Sequence, residues 1–383
     1  MANSYQGTTL SNTKLEDGTE FNFKIYGSGY QPYFGDKISQ HLKDTKSDIF
    51  FILLDTFMLM QPGGNLPSGW FLNIDCSPAQ TIFWFPSDGG GGMPIGCEQI
   101  LRKVESPVAM ARFGQKQVKD YYNIDVEHIP HGTDTNLFKR LPDHERFALK
   151  AKYGMQDKFV IGVVARNQPR KFLDRTMKTM SILKDKIPNA ILFLHLDPND
   201  PAQIFNIRGL ITRYNLENRV IFSGMSALKG FPRKDMNAVY NVMDCFFLST
   251  SGEGFGIPII EAMSAEVPIV ATDYTTTPEL VIENKAGFGV KLAGVDTIDM
   301  FRTNLRDYDN KVANGTLTGS WEVERAFCDI NDAADKIELL YHNPELCKEL
   351  GSSGRKSVLS KYDFNKSVAP AFEELMNKLV IKA

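Results

Sequence analysis

The stretch "STSGEGFGIPIIEAMSAEVPIVATD", residues 249–273, decides how the chain is read. The run "CFFLST" before it has the length and composition of a buried strand. "SGEGFG" is a glycine turn, and Pro258 suits the first turn of a helix. Strand, turn, helix and the second apolar run "PIVATD" form part of a βαβ unit. The amides of Gly254, Phe255 and Gly256 fall at the helix N-terminus, where free N–H groups and the helix dipole favour an anion. Glu253 stands on the turn and Glu261 about one helical turn beyond it, so both carboxylates can face one mouth. Carboxylates accept hydrogen bonds from hydroxyl groups. An anion on the amides and hydroxyls on the acids together describe a sugar phosphate. A tight strand-to-helix turn with a solvated glutamate is the competing reading.

Outward from this turn, apolar runs of strand length alternate with helix-period segments. The pattern predicts parallel sheets built from βαβ units. Strands are expected at 20–26, 48–55, 81–85, 106–111 and 127–130 in the first part. In the second they are expected at 159–165, 190–197, 219–222, 245–250 and 268–272. The polar segment "NLFKRLPDHERFALKAKYG" separates the two sets and reads as a link, and 383 residues are too many for one ordinary core. The expected fold class is therefore α/β, with two doubly wound, Rossmann-like domains facing a cleft. The segment 306–322 reads as a flexible insertion.

Composition excludes several classes. A net charge of -3 without a long Lys/Arg block argues against nucleic acid as a partner. Five scattered cysteines read as reduced thiols in a cytoplasmic chain. The run "IFFILLDTFMLM" at 49–60 is interrupted by Asp55 and too short to span a bilayer; it reads as a buried strand and its continuation. The patch "LRKVESPVAMARFGQKQVK" at 101–119 leaves a peripheral membrane contact open. The histidines have no metal-ligand spacing, and "DPND" at 197–200 reads as a turn, so neither a metal nor a cofactor is expected.

In an open α/β sheet, ligands bind beyond the carboxyl ends of the strands. The loop after "FVIGVVA" carries Arg166, Arg170 and Lys171, two planar forks and a mobile point charge suited to phosphate oxygens. In the first half, "TIFWFPSDGGGGMP" sets Asp88 after a strand, followed by four glycines. Asp88 can cap a turn or face the ligand. His131, in "IPHGTD", reads as a packed loop histidine.

The string "SGEGFGIPIIEAMSAEVPIVATD" resembles the nucleotide-sugar signature of retaining GT-B glycosyltransferases of family 4, the glycosyl transferases group 1. "HIPHGTDTNLF", "VVARNQPRKFLDRTMKTMSIL" and "VIFSGMS" extend the resemblance in the family's order and spacing. It implies a GT-B fold: residues 1–145 as acceptor-side domain, 146–364 as nucleotide-sugar domain, and a helix at 365–383 packing back on the first. It implies transfer of a sugar from a nucleoside diphosphate donor to an acceptor hydroxyl, with retention and without metal. By the same resemblance Glu253 meets the donor sugar and Glu261 the ribose, with Gly254, Phe255, Gly256, Ile257 and Met225 around the donor. Arg166 and Lys171 hold the diphosphate, and Asp88 approaches the sugar or the acceptor. Tyr5, Gln6 and Gly7 match the family's acceptor loop, but without the hydrophobic strand that should precede it. The acceptor is a glycan, a lipid-linked sugar or a small molecule. Two other functions fit the same fold: epimerisation of a sugar nucleotide, and a non-catalytic subunit that binds one. A dehydrogenase is disfavoured, because no GxGxxG follows an early strand.

Overall fold

The computed structural model describes residues 13–14, 20–21, 37–60, 70–93, 96–299 and 322–382. Two short strands, β1 (Thr13–Lys14) and β2 (Glu20–Phe21), pair antiparallel with each other. The described part of the strand expected at 20–26 thus belongs to this ribbon and not to a parallel sheet. Tyr5, Gln6 and Gly7 lie outside the described residues.

The first parallel sheet contains β3 (Ile49–Leu53), β4 (Gln80–Phe85), β5 (Ser106–Ala109) and β6 (Glu127–His128), side by side in chain order. Its helices are α1 (Ile38–Thr45), α2 (Thr56–Met60), α3 (Cys97–Lys103) and α4 (Arg112–Tyr122). The apolar run at 49–60 therefore does not continue as a strand. It ends at Leu53, and α2 begins beyond Asp55.

The expected polar link contains a helix, α5 (Asp143–Lys152). Pro142 precedes it, Asp143 and Glu145 occupy its first turn, and Lys150 and Lys152 its last. Acids at the N-terminus and bases at the C-terminus complement the helix dipole, which sequence periodicity alone does not reveal.

The second sheet comprises β7 (Phe159–Val164), β8 (Ala190–His195), β9 (Val220–Phe222), β10 (Cys245–Leu248), β11 (Ile269–Thr272) and β12 (Gly287–Val290). Its spatial order is β12-β11-β10-β7-β8-β9, all parallel. The direction of winding reverses between β7 and β10, so the crevice at their carboxyl ends is the topological switch point. Every residue of β8, β10 and β11 is buried, as expected of a parallel sheet covered on both faces. The covering helices include α6 (Leu173–Lys186), α7 (Ile207–Arg213), α8 (Met236–Asn241) and α9 (Ile257–Ser264).

The sequence reading missed β12 and a long antiparallel hairpin, β13 (Leu292–Asp299) with β14 (Glu322–Cys328). Glu322 opens β14; the rest of the expected insertion at 306–322 lies outside the described residues. Helices α10 (Ile330–His342), α11 (Pro344–Ser357) and α12 (Ala369–Lys382) complete the chain. On α12, Phe372 sets its ring against Phe51 of β3 at 5.1 Å and Trp84 of β4 at 4.9 Å. The final helix therefore covers the first sheet. The backbone crosses back where Thr133 N–H donates to the Tyr362 carbonyl and Phe364 N–H to the Thr133 carbonyl.

Candidate active site

At the switch point the loop after β7 and the turn after β10 meet. Gly256 ends that turn with φ +104°, a left-handed conformation that favours glycine, and α9 begins directly after it with Pro258 in its first turn. Gly254, Phe255 and Gly256 are buried, and no described residue accepts a hydrogen bond from their amides. Buried N–H groups without partners are rare in proteins, so this helix mouth is arranged to receive an acceptor. Gly252 and Gly254 also allow a close approach of neighbouring backbone. A Cβ on Gly252 would lie 2.0 Å from the Asp88 carbonyl oxygen, and one on Gly254 2.5 Å from Pro86. These glycines admit the loop of the first sheet.

Glu253 is buried rather than open on the turn. Its Oε1 accepts from Lys171 Nζ at 2.5 Å and its Oε2 from Arg170 at 2.7 Å. Its own N–H donates to Thr275 Oγ1 at 2.9 Å. Burial would raise the Glu253 pKa, but the two cations outweigh it and hold it at about 2. Burial lowers the Lys171 pKa, and Glu253 opposes that fall. Arg170 also reaches Asp88, with Nε 3.5 Å from Oδ2. Asp88 is therefore joined to Glu253 through Arg170.

Arg166 stands apart. Its side chain is 61% exposed, and its Nε is 3.4 Å from Asp200. Of the basic loop, Lys171 and Arg170 enter the cluster and Arg166 pairs with Asp200 instead. Glu261 lies on α9 and accepts from the Tyr240 hydroxyl of α8 at 2.5 Å. Burial pushes its carboxyl up to about 7, against the effects of Tyr240 and the Arg233 charge. Ile257 is exposed beside it, and Met225 is half-buried in the loop after β9, with its N–H on Ser223 Oγ. His131 packs between Trp84 and Phe255, with ring centroids 4.0 and 5.4 Å away, and burial lowers its pKa to about 4. It is a packed histidine.

Sequence reasoning missed Arg325 on β14. Its guanidinium is buried, donates to the Asp88 carbonyl, and lies 3.1 Å from Asp88 Oδ1. Next to it, Gly90 and Glu324 exchange backbone hydrogen bonds, and Gly90 N–H also meets the Tyr274 hydroxyl at 2.9 Å. A Cβ on Gly89 would come within 2.2 Å of Val323, and one on Gly90 within 2.6 Å of Glu324 and Tyr274. Part of the four-glycine run is thus a seat for the hairpin. No local pattern could have revealed this, because Asp88 and Arg325 are 237 positions apart.

Among the described residues, no group of His, Cys, Asp and Glu is placed to hold a metal ion, and no helix is long and apolar enough to cross a membrane. "DPND" forms a turn, with Asp197 accepting from the amides of Asn199 and Ala227. The basic residues at 101–119 are largely matched within the protein. Arg112 bridges to Glu279 and Glu283, Arg102 pairs with Glu98, Lys116 with Asp120 and Lys119 with Asp125. Lys103 donates to three backbone carbonyls.

Residues 145–298, which hold the turn, the basic loop and both glutamates, match the family model for glycosyl transferases group 1. The chain carries a glycosyl transferases group 1 domain. Among curated relatives, it is 28% identical over 180 residues to a GDP-mannose-dependent phosphatidylinositol monomannoside mannosyltransferase of Mycolicibacterium smegmatis. That match covers 45% of each chain. It is 29% identical to the mannosylfructose-phosphate synthase of Agrobacterium fabrum, over 45% of this chain and 38% of that one. The chain thus spans less than half the length of these two relatives. The sucrose-phosphate synthase of Thermosynechococcus elongatus superposes with a TM-score of 0.68 at 18% identity, over 92% of this chain and 78% of that one. Anabaena HepE in complex with UDP-glucose superposes with a TM-score of 0.64 at 15% identity, over 91% and 81%. The glycosyl transferases group 1 domain therefore sits in a GT-B architecture.

Proposed function

We propose that this protein transfers a glycosyl group from a nucleoside diphosphate sugar to an acceptor hydroxyl, with retention of configuration and without a metal ion. The observation that carries the reading is the convergence, at the switch point, of a helix mouth with unpartnered amides and the Lys171–Glu253–Arg170 cluster. The amides of Gly254, Phe255 and Gly256 would take the diphosphate, with Arg166 and Lys171 supplying positive charge as it leaves. Preorganised donors of this kind act where charge develops in the transition state. Glu261, with Ile257 and Met225 near it, would hold the ribose and base, and Glu253 and Asp88 would face the transferred sugar. The relatives whose names specify a GDP-mannose donor, and the fold neighbour that binds UDP-glucose, support a nucleotide-sugar donor.

The reading predicts that UDP or GDP binds and raises the melting temperature with EDTA present. At 100 times Kd the stabilisation is about 2.7 kcal/mol. Calorimetry and thermal shift check this, followed by product analysis with labelled donors. A strict need for divalent metal would overturn the proposed chemistry.

Glu261 gives the binding a pH dependence. Its ionised form is the better acceptor for ribose hydroxyls, so diphosphate affinity should rise as pH increases through about 7. For folding the sign is opposite. A carboxyl whose folded pKa is raised holds its proton more tightly when folded, so its contribution falls as pH rises from its ordinary value of 4.5 to about 7. Glu261→Gln should flatten both dependences and weaken diphosphate binding about tenfold, since hydrogen bonds to charged groups contribute about 1.5–3 kcal/mol. Titration calorimetry between pH 6 and 8 checks the first, and urea unfolding over the lower range checks the second.

A further inference from the structure

A cavity of about 380 Å³ lies between the two sheets, bordered by the Arg170–Asp88 pair. Its floor is the loop that ends β3 and the loop after β4, with Asp55, Phe57 and Asp88. Phe172 closes one wall, and the β13–β14 hairpin roofs it with Ile298 and Val323. The return strand of that hairpin lies beyond the residues that match the family model.

The charges in the cavity are unequally committed. Arg325 is bonded to Asp88, and Arg170 is shared between Glu253 and Asp88. Arg170, Arg325 and Lys171 share the carboxylates of Asp88 and Glu253, so both guanidiniums that border the space already have a carboxylate partner with which an incoming phosphate would compete. Asp55 is different: no described Lys or Arg forms an ion pair with it, although it lines the same space. Burial, with the nearby Asp88 charge, raises its pKa against the pull of the Arg170 charge. Around it stand the apolar faces of Phe57, Phe172, Ile298 and Val323 and the polar side chains of Ser87 and Gln168. Such a space combines apolar faces with hydrogen-bonding groups, which suits a ring bearing both hydroxyls and C–H faces. Its volume is near the lower end of the roughly 300–1,000 Å³ typical of ligand pockets, enough for about one sugar ring.

We propose that this cavity is the acceptor subsite and that it takes a single uncharged sugar ring, held by Asp55 through its hydroxyls, and excludes phosphorylated acceptors. The inference rests on the glycosyl-transfer reading for its functional meaning, but not for the binding it claims. Arg325 is a positioning residue here: it pins Asp88 and the glycine loop, and so holds the roof on the floor.

The test is ligand-observed NMR on the full chain. The probes are methyl α-mannopyranoside and methyl α-glucopyranoside, with mannose 6-phosphate and glucose 6-phosphate as charged counterparts. Each is measured with and without UDP or GDP, whose own binding is followed by calorimetry. Saturation transfer to a neutral glycoside is expected, with at least tenfold weaker binding of its phosphate. Ile298→Trp should fill the space and abolish that signal, and Asp55→Asn should weaken it about tenfold. Both should leave diphosphate affinity within about twofold, which also shows that the variants are folded. The proposal falls if neither glycoside binds under any condition, if the phosphates bind more tightly, or if both variants bind glycoside like the parent. Failure of UDP and GDP to bind the parent overturns the donor site instead, and the glycoside data still decide the cavity.

Discussion

Lys171→Ala should lower kcat/KM for glycosyl transfer by about 100- to 1,000-fold, the usual effect of removing one preorganised donor that meets developing negative charge. Lys171 is buried at the carboxyl end of the switch-point crevice, and its ammonium is 2.5 Å from Glu253. An ammonium has three donors, so Glu253 can hold one while the others face the departing diphosphate. Ground-state binding should suffer less than turnover, because the oxygen between sugar and phosphate gains charge only as the bond breaks. Lys171→Arg should recover little, since a planar fork does not fit a site built for a point charge. Steady-state kinetics combined with diphosphate Kd from calorimetry separates the two effects. A turnover within threefold of the parent would show that Lys171 only neutralises Glu253, and the donor site would then have to be rebuilt around Arg166.

The strand–turn–helix at the switch point was legible because its information is local. Three glycines, a proline and two acids lie within thirteen residues, 249–261, directly after β10, and the structure places them on one turn and one helix. The alternation of apolar runs likewise matched the two parallel sheets. What stayed hidden depends on contacts distant in sequence or on patterns that imitate something else. The strand β14 reads "EVERAFC", in which the buried positions include Val323 and Arg325. A charged residue on the inner face breaks the hydrophobic alternation that marks a strand, and the carbonyl and carboxylate of Asp88 help to make it tolerable. The glycines at 89–92 read as flexibility because their purpose, the approach of Val323 and Glu324, comes from another part of the chain. Arg170 was passed over for Arg166 because family spacing, not geometry, selected between neighbouring cations in one loop. Its pairing with both Glu253 and Asp88 is visible only once the two sheets face each other.

Glu253→Gln should damage both stability and turnover, and the two losses should be separable. The carboxylate is enclosed by Lys171 and Arg170, at 2.5 and 2.7 Å. A neutral amide there leaves the buried Lys171 and the half-buried Arg170 short of charge, and breaking a buried pair from one side typically costs about 3–5 kcal/mol. Asp88 still compensates Arg170 at 3.5 Å, so the lower end is expected, roughly a 6–12 °C fall in melting temperature for a unit of this size. The pH dependence gives a check on the cause. The folded pKa of Glu253 is depressed to about 2 from 4.5, so its contribution is complete above 4.5 and is lost as pH falls through that window. The stability gap between parent and variant should therefore be full at neutral pH and narrow on acidification. Turnover should fall about ten- to a hundredfold, because the cations that Glu253 aligns are those that meet the leaving diphosphate. The double variant Lys171→Met with Glu253→Gln separates the two roles. Removing both charges restores a buried neutral arrangement, so much of the stability should return. Activity should stay as low as in Lys171→Ala, since no ammonium remains to stabilise the leaving group. Recovery of turnover along with stability would show that the buried pair supports the fold alone.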